Sequence, residues 1–504
     1  MSALIGLDVG TTNTKAVAFD PATGQVIAVT SQTTPAISPA PGWSEIDPAQ
    51  LWNGVTACLR QIVPRIQGPI LGVGIASMAE AGVPLDAAGQ PVYRIIHWYD
   101  PRTEHQLAQA LDRFGAEHLF RITGQAPRNV YSLYKLLWLR EHAPTAFASL
   151  ARWLCVSDFV AWKLTGVAAT DYSLASRTML FDQQTREWSP ELLEYAGLRP
   201  EQLPKLLPAG TVVGQVNSQA AAETGLPADV PVVIGGHDHL CGAVAAGAIQ
   251  AGQVVDSVGT AEGVVIPTNS FVYDVTFWQR RICCYAHVVP NLFVVQCGLA
   301  MSGGALAWIA GQQFAAAANP VAAALAAAER VPPGARGLLY FPYLGGNGSP
   351  VGDENVTGAF IGLRFDHGSA ELSRAVLEGV SFGIRHAIEV SSSVVGPVDE
   401  PIRVIGGGSR SPLWLQIRAN VLGKRHQAEE MPQATGLGAA LLAGIGAGIF
   451  PSFAAAANAV ARQSSTYDPQ PEPVDRYARI FREAYLKIYP GLAPVFAALV
   501  GLAE

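Results

Sequence analysis

Short apolar blocks open the chain at residues 3–9, 14–20 and 25–33, each cut off by small polar residues, which predicts three consecutive strands. Pro21-Ala22-Thr23-Gly24 makes the turn between the second and third. The period then changes. Asp47-Pro48 is a helix-start pair, and Leu51, Val55, Leu59 and Ile62 form an apolar stripe that predicts a helix to about Ile66. Residues 70–76 return to a strand pattern, residues 102–166 read as mostly helical, and another apolar strand lies at 230–235. Alanine-rich helices are expected at 304–330 and 370–393, with a last helix from about Val474. A meander, a crossover helix and a further strand make an α/β sheet layered with helices. No long low-complexity linker separates the halves, so the boundary near 240–250 reads as a hinge beside a cleft. The expected units are residues 1–245 and 246–504.

The tip of the first predicted hairpin carries candidate chemistry. In Ile5-Gly6-Leu7-Asp8-Val9-Gly10-Thr11-Thr12-Asn13-Thr14-Lys15 an apolar run ends in Asp8, and a glycine with small hydroxyl residues follows. Gly10 lets the backbone approach a ligand, while the turn's N–H groups and the Thr11, Thr12 and Thr14 hydroxyls suit phosphate oxygens. Asp8 is placed to hold a hydrated Mg²⁺. An ordinary solvated hairpin has the same pattern, but a second copy changes the balance: Val255-Asp256-Ser257-Val258-Gly259-Thr260-Ala261-Glu262-Gly263-Val264 again flanks a Gly-Thr turn with apolar runs. Two such hairpins half a chain apart imply a duplicated fold with a nucleotide clamped between its halves. A P-loop protein needs one, and no G-x-x-x-x-G-K-[ST] occurs.

Charge and cysteine usage narrow the partners. The net charge is −7 with no run of lysines and arginines, so a nucleic-acid footprint is missing and a small anionic ligand fits better. The six cysteines show no C-x-x-C spacing, which suits a reducing cytoplasm. The uncharged stretch 434–461 is long enough to span a bilayer of about 30 Å. Gly436, Gly438, Gly444, Gly446, Gly448 and Pro451 interrupt it, so the expectation is a packed buried helix, a turn at Gly448-Ile449-Phe450-Pro451, and another helix, with no membrane span.

Gly235-Gly236-His237-Asp238-His239 closes the strand at 230–235 and leads into small residues suited to a closely packed helix. Asp238 can serve as general base toward a substrate hydroxyl that attacks a γ-phosphoryl group. Two rival readings are a metal site through His237 and His239 and a plain helix cap. Gly406-Gly407-Gly408-Ser409-Arg410-Ser411 likewise follows a strand and opens a helix, a turn that suits an adenine or ribose lying against backbone.

Taken together these residues resemble the FGGY family of carbohydrate kinases. Gly358-Ala359-Phe360-Ile361-Gly362-Leu363, seven residues, then Glu371-Leu372-Ser373-Arg374-Ala375-Val376-Leu377-Glu378 follows that family's C-terminal signature, and Ser132-Leu133-Tyr134-Lys135-Leu136-Leu137-Trp138 its N-terminal one, with Val130 departing at the start. The resemblance runs from Ile5 to about Gly448. It implies a duplicated actin-like (ribonuclease H-like) ATPase fold with two domains around a central cleft. It implies ATP and Mg²⁺ as cofactors, with a small sugar or polyol as acceptor and a pentulose such as D-xylulose first among them.

Residue by residue, the resemblance assigns Asp8, Gly10, Thr11, Thr12 and Lys15 to the first phosphate loop, with Asp8 toward the metal, and Gly259 and Thr260 to the second. Asp238 becomes the catalytic base, and Gly407, Gly408 and Ser409 the adenosine turn, with Gly298, Gly304 and Trp308 beside the nucleotide and Glu430 and Gly438 near its base. Trp98, Asp100 and Arg102 match a Trp-x-Asp-x-Arg element near the acceptor. Ala79-Glu80 stands where xylulokinases carry Met-His and glycerol kinases Arg-Glu, so the acceptor stays open, and Glu80 suits paired hydroxyls. Other ketose or polyol kinases, a non-catalytic actin-fold nucleotide switch and a histidine-metal hydrolase are the alternatives. A homodimer and a cytoplasmic setting complete the expectation.

Overall fold

The computed structural model describes residues 2–346 and 348–503. In the first half β1 (Ala3–Val9), β2 (Asn13–Asp20) and β3 (Gln25–Thr33) form the expected antiparallel meander, with Asp8 opposite Lys15 across the first turn. Helix α1 (Pro48–Ile62) crosses over to β4 (Ile70–Ser77), which runs parallel to β1. Asp47 caps this helix by accepting from the Ala49 N–H, and Leu51, Val55, Leu59 and Ile62 are all buried. It stops short of Ile66 because a 3₁₀ turn containing Pro64, Val63–Arg65, replaces its last turn. Strand β6 (Pro231–His237) is parallel to β4, and β5 (Val212–Gln215) closes the edge antiparallel to it.

The second half repeats this plan. Strands β7 (Val255–Val258), β8 (Glu262–Thr268) and β10 (Phe293–Leu299) form the meander; β11 (Ile402–Ile405) and β12 (His426–Glu429) add the parallel pair. Strand β13 (Ser464–Tyr467) takes one edge and β9 (Cys283–Ala286) extends the other. The orders β5-β6-β4-β1-β2-β3 and β9-β10-β8-β7-β11-β12-β13 are one topology with one strand added. This is the α/β, two-domain actin-like ATPase fold, and both Gly-Thr tips lie at matching turns between the first two strands of their sheets.

In each sheet the last parallel strand feeds a helix toward the middle of the molecule: α3 (Asp238–Ala245) after β6 and α6 (Ala434–Gly446) after β12. Their glycines explain the close approach. A Cβ on Gly438 would lie 1.9 Å from the Cys241 carbonyl oxygen of α3, and one on Gly6 of β1 would lie 1.7 Å from the Gly436 carbonyl oxygen. Helix α6, from the second half, therefore packs on the first sheet and on the helix that carries Asp238. Only glycine permits backbone contact at that range. Gly438, expected near the adenine, thus serves this crossing.

The suspected bilayer stretch resolves as expected into the 13-residue buried α6, a turn, and helix Phe453–Asn458. The helical stretch long and apolar enough to cross a membrane by length and composition is instead Pro471–Leu502. Tyr477, Phe481, Tyr485 and Phe496 tie one face of it into the second core, while Val495, Leu499 and Leu502 face outward.

Candidate active site

The first tip is closed by the Gly10 N–H donating to the Asn13 carbonyl at 3.1 Å. Thr11 lines a cavity at the cleft floor and its Oγ1 accepts from Trp98 Nε1 at 3.0 Å, while Thr12 is exposed. Thr14 is a correction: it is buried, its hydroxyl 3.4 Å from that of Thr34, and it faces away from any phosphate. At the end of β1, burial and the charge of Asp238 push the Asp8 carboxyl up to about 7, with Lys15 opposing. A buried carboxylate beside a second negative charge is a donor suited to a divalent cation.

The second tip has its Gly259 N–H on the Ala261 carbonyl at 2.9 Å, with Thr260 exposed. Helix α4 (Gly303–Gln313) is stitched under it, Gly303 N–H to Gly259 O at 3.0 Å and Gly304 N–H to Thr260 O at 3.1 Å. Gly304 was expected beside the nucleotide; its donor is already used on the tip, so it supports the turn rather than offering a free N–H. After β11, Gly407–Arg410 forms a 3₁₀ turn, and a Cβ on Gly408 would lie 2.3 Å from Val258 Cγ1. That turn is thereby pressed against the second hairpin, with Gly407 exposed and the Ser409 hydroxyl donating to Gly406 O at 2.7 Å. The exposed Gly259, Thr260 and Gly407 at the two adjoining turns suit an adenosine diphosphate moiety lying against backbone.

Asp238 opens α3, and the capping position belongs to His237, which removes the plain-cap reading. Its Oδ1 accepts from the His239 N–H at 2.6 Å and lies 3.2 Å from His237 Nε2. Burial raises the Asp238 carboxyl, the charge of His239 opposing. His237 Nδ1 is 3.0 Å from the Tyr285 hydroxyl, so both ring nitrogens are engaged. The His237, Asp238 and His239 ligand atoms lie within 4.8 Å of one another, yet a metal there would have to break the Tyr285 or Asp238 contact.

A cavity of about 170 Å³ opens beside Asp238, with Thr11, Glu80, Trp98, Arg177 and Gln296 in its wall. Glu80 holds a left-handed backbone at φ 64°, and its carbonyl is clamped by Lys135 Nζ at 3.0 Å and Ser132 Oγ at 2.9 Å from helix α2 (Ser132–His142). Lys135 of the N-terminal signature is therefore a buried clamp, its amine pushed down to about 7 by that burial. Glu80 Oε1 accepts from Arg177 Nε at 2.7 Å and from Nη2, which leaves Oε2 for the cavity. Arg177, Arg128 and Gln296 were not singled out in the sequence. Arg177 is the one charge in the run from Tyr172 to Phe181, and that isolation was its available signal.

Asp100 and Arg102 do not line this cavity. Arg102 donates to Asp100 through Nε at 2.8 Å and Nη2 at 2.7 Å, and to Glu45 through Nη1 at 2.7 Å, while its guanidinium lies 3.8 Å over Trp43. Burial works to raise the Asp100 carboxyl, but hydrogen bonds from Arg102 and the Ser44 N–H hold it below the usual range. The loop ion pair thus prevails over direct acceptor contact for these two, and only Trp98 of that element reaches the site. Asp100→Asn is expected to cost about 2 kcal/mol of stability, the loss of a charge-assisted hydrogen bond, and to leave the acceptor KM within about twofold. Chemical unfolding and steady-state kinetics on the same preparation check both halves.

Residues 3–245 match the FGGY family of carbohydrate kinases, N-terminal domain, and residues 257–447 its C-terminal domain. A xylulose kinase of Bacillus subtilis is 30% identical over 492 residues, 97% of each chain. A glycerol kinase of Gloeobacter violaceus is 31% identical over 456 residues, 90% of each chain. The crystal structure of a xylulose kinase from Rhodospirillum rubrum superposes with a TM-score of 0.91 at 30% identity, covering 98% of this chain and all of that one.

Proposed function

The chain belongs to the FGGY family of carbohydrate kinases, and from that premise we propose that it transfers the γ-phosphoryl group of ATP to a hydroxyl of a small ketose, a pentulose such as D-xylulose first. The observation that carries the reading is a carboxylate, Asp238, in the wall of an acceptor-sized cavity that the first phosphate-type hairpin reaches through Thr11. A nucleotide switch needs the hairpins but not the cavity. The hydrolase alternative needs an open His237, and that ring has no free nitrogen.

Asp238 takes the acceptor's proton as the acceptor oxygen attacks phosphorus. Gly10, Thr11, Thr12 and Lys15 on one side and Gly259 and Thr260 on the other hold phosphate oxygens, while Gly407, Gly408 and Ser409 seat the adenosine. Asp8 would hold Mg²⁺, which supplies charge neutralisation of the phosphates when bound. Glu80 accepts from acceptor hydroxyls, with Arg177 fixing its carboxylate, and Trp98 covers them. Division at residue 245 puts acceptor and base in one unit and adenosine in the other, so closure of the cleft excludes water as a competing nucleophile. The six cysteines are free and buried, which agrees with a reducing cytoplasm, and a membrane-free homodimer completes the reading.

The test is ADP release from ATP and Mg²⁺ across pentuloses, hexuloses, polyols and aldonic acids. The acids belong in the panel because Arg128 on the cavity wall has no ion-pair partner among the described residues. Saturable release with a pentulose supports the proposal, and equal background with every acceptor sinks it. Glu80→Ala is expected to raise the acceptor KM by roughly 10- to 100-fold, about one to two lost charged hydrogen bonds, with the ATP KM unchanged.

A further inference from the structure

Tyr285 lies on β9 and Gln296 on β10, two strands of the second half, whereas His237 and Asp238 belong to the first. Two hydrogen bonds and one polar contact link them in a single line. Asp238 Oδ1 is 3.2 Å from His237 Nε2, His237 Nδ1 is 3.0 Å from Tyr285 Oη, and Tyr285 Oη is 2.7 Å from Gln296 Oε1. The imidazole is buried, and the Ser173 hydroxyl accepts from the His237 N–H at 3.0 Å, so ring and backbone are both fixed. Arg177 lies 5.4 Å over the Tyr285 ring and packs it from the other side.

We propose that His237 is a positioning residue for phosphoryl transfer, held by Tyr285 across the interface between the halves and orienting the Asp238 carboxylate through its Oδ1. The inference rests on the kinase reading above. A neutral imidazole carries one N–H. With the Tyr285 O–H donated to Nδ1, that N–H sits on Nε2, 3.2 Å from Asp238 Oδ1. Burial, with the charges of His239 and Arg177, keeps the ring neutral. The Gln296 side chain then turns its amide N–H toward the Tyr285 oxygen, an orientation equivalent to the other within the same envelope.

Oδ1 thereby faces two donors: the His239 N–H, from which it accepts at 2.6 Å, and the His237 ring N–H, a polar contact at 3.2 Å that a small rotation of the carboxylate aligns. Oδ2 is left as the basic oxygen. The acceptor hydroxyl loses its proton to Oδ2, its oxygen bonds to the γ-phosphorus, and the bridging P–O bond breaks with its electron pair staying on ADP. Without His237 the carboxylate keeps only one donor from its own chain and is free to rotate. The loss falls on the chemical step more than on substrate binding, because His237 lines the acceptor cavity beside Asp238 but has both ring nitrogens turned to protein partners.

Three variants test this with the best acceptor from the panel: His237→Asn, His237→Gln and Tyr285→Phe. The Asn side chain cannot reach Asp238, whereas the Gln amide N–H extends to the place of Nε2. His237→Asn is expected to lower kcat by about 100-fold with both KM values within about twofold, His237→Gln to recover to within about tenfold of the parent, and Tyr285→Phe to lose about tenfold. Adding Tyr285→Phe to Asp238→Asn is expected to change nothing further. An unchanged kcat in His237→Asn, or Gln no better than Asn, overturns the proposal. Tyr285→Phe conserves ring volume, so a folding failure in the His237 variants still leaves it to decide: an unchanged kcat there is equally fatal. A parent chain that turns over no acceptor defeats the kinase reading itself, and is seen before any variant is made.

Discussion

Asp238→Asn is expected to lower kcat by about 10³- to 10⁴-fold, the upper range for loss of a positioned base, while nucleotide and acceptor still bind. The amide has the carboxylate's shape and keeps an oxygen for the His239 N–H, but it has no lone pair basic enough to take a hydroxyl proton. Substitution also removes a negative charge beside Asp8. Burial and the charge of Asp238 hold the Asp8 carboxyl up to about 7, so in the variant Asp8 ionises more readily. ATP binding in the presence of Mg²⁺ is therefore expected to be equal to the parent's or tighter, measured calorimetrically, with turnover read as ADP release. Turnover at the parental rate would move the base elsewhere. Glu80, the other carboxylate in the cavity wall, is a poor heir because Arg177 occupies its Oε1 through two nitrogens.

How much of this was legible in the sequence depended on whether the signal was local. The two Gly-Thr tips, the strand before Asp238 and the start of α1 all follow from neighbours in the chain, and their elements fall where the apolar pattern places them. The duplication was legible for the same reason: one local motif occurs twice. Residues whose roles depend on distant partners were not. The resemblance alone places Asp100 and Arg102 near the acceptor, where their own spacing suits a loop salt bridge; the further partners Glu45 and Trp43 meet Arg102 only through the fold. Thr14 has the same hydroxyl as Thr11, and only its position in the strand, buried against Thr34, distinguishes them. The Arg177 to Glu80 pair spans 97 residues, and the His237 to Tyr285 contact crosses between the halves. The stretch of α6 reads as a packed buried helix, but the resemblance sets Gly438 near the adenine, because its partner in α3 and that of Gly436 in β1 are out of reach of any local pattern.

A last consequence concerns the ground under the second phosphate tip. Arg418, on α5 (Pro412–Leu422), is 1% exposed. It donates to Asp256 on β7 at 2.7 Å and to both oxygens of Glu262 on β8 at 2.6 and 2.7 Å, with its guanidinium 4.8 Å over Trp414. These carboxylates sit on the two strands that the Gly259 turn joins, and Glu262 also accepts from Ser302, whose N–H bonds Thr260 O at 2.8 Å. Burial and Glu262 already raise the Asp256 carboxyl well above its usual range, and Arg418 opposes them. Arg418→Leu would leave two carboxylates buried without a counter-charge, at a cost of about 3–5 kcal/mol. Without the arginine the folded-state pKa of Asp256 lies further above its unfolded one, so the folded state binds more protons and its stability falls as pH rises through that window. The deficit in chemical unfolding is thus expected to be larger at pH 8 than at pH 5. Adding Asp256→Asn and Glu262→Gln to Arg418→Leu removes the stranded charges and is expected to restore most of the stability. In the single variant the ATP KM is expected to rise and the acceptor KM to hold, since Arg418 lies under the nucleotide side of the cleft and the Asp238 cavity is walled by other residues. A variant with parental stability at both pH values would mean that the three charges do not act as one unit, and that the second tip is held by the α4 backbone bonds alone.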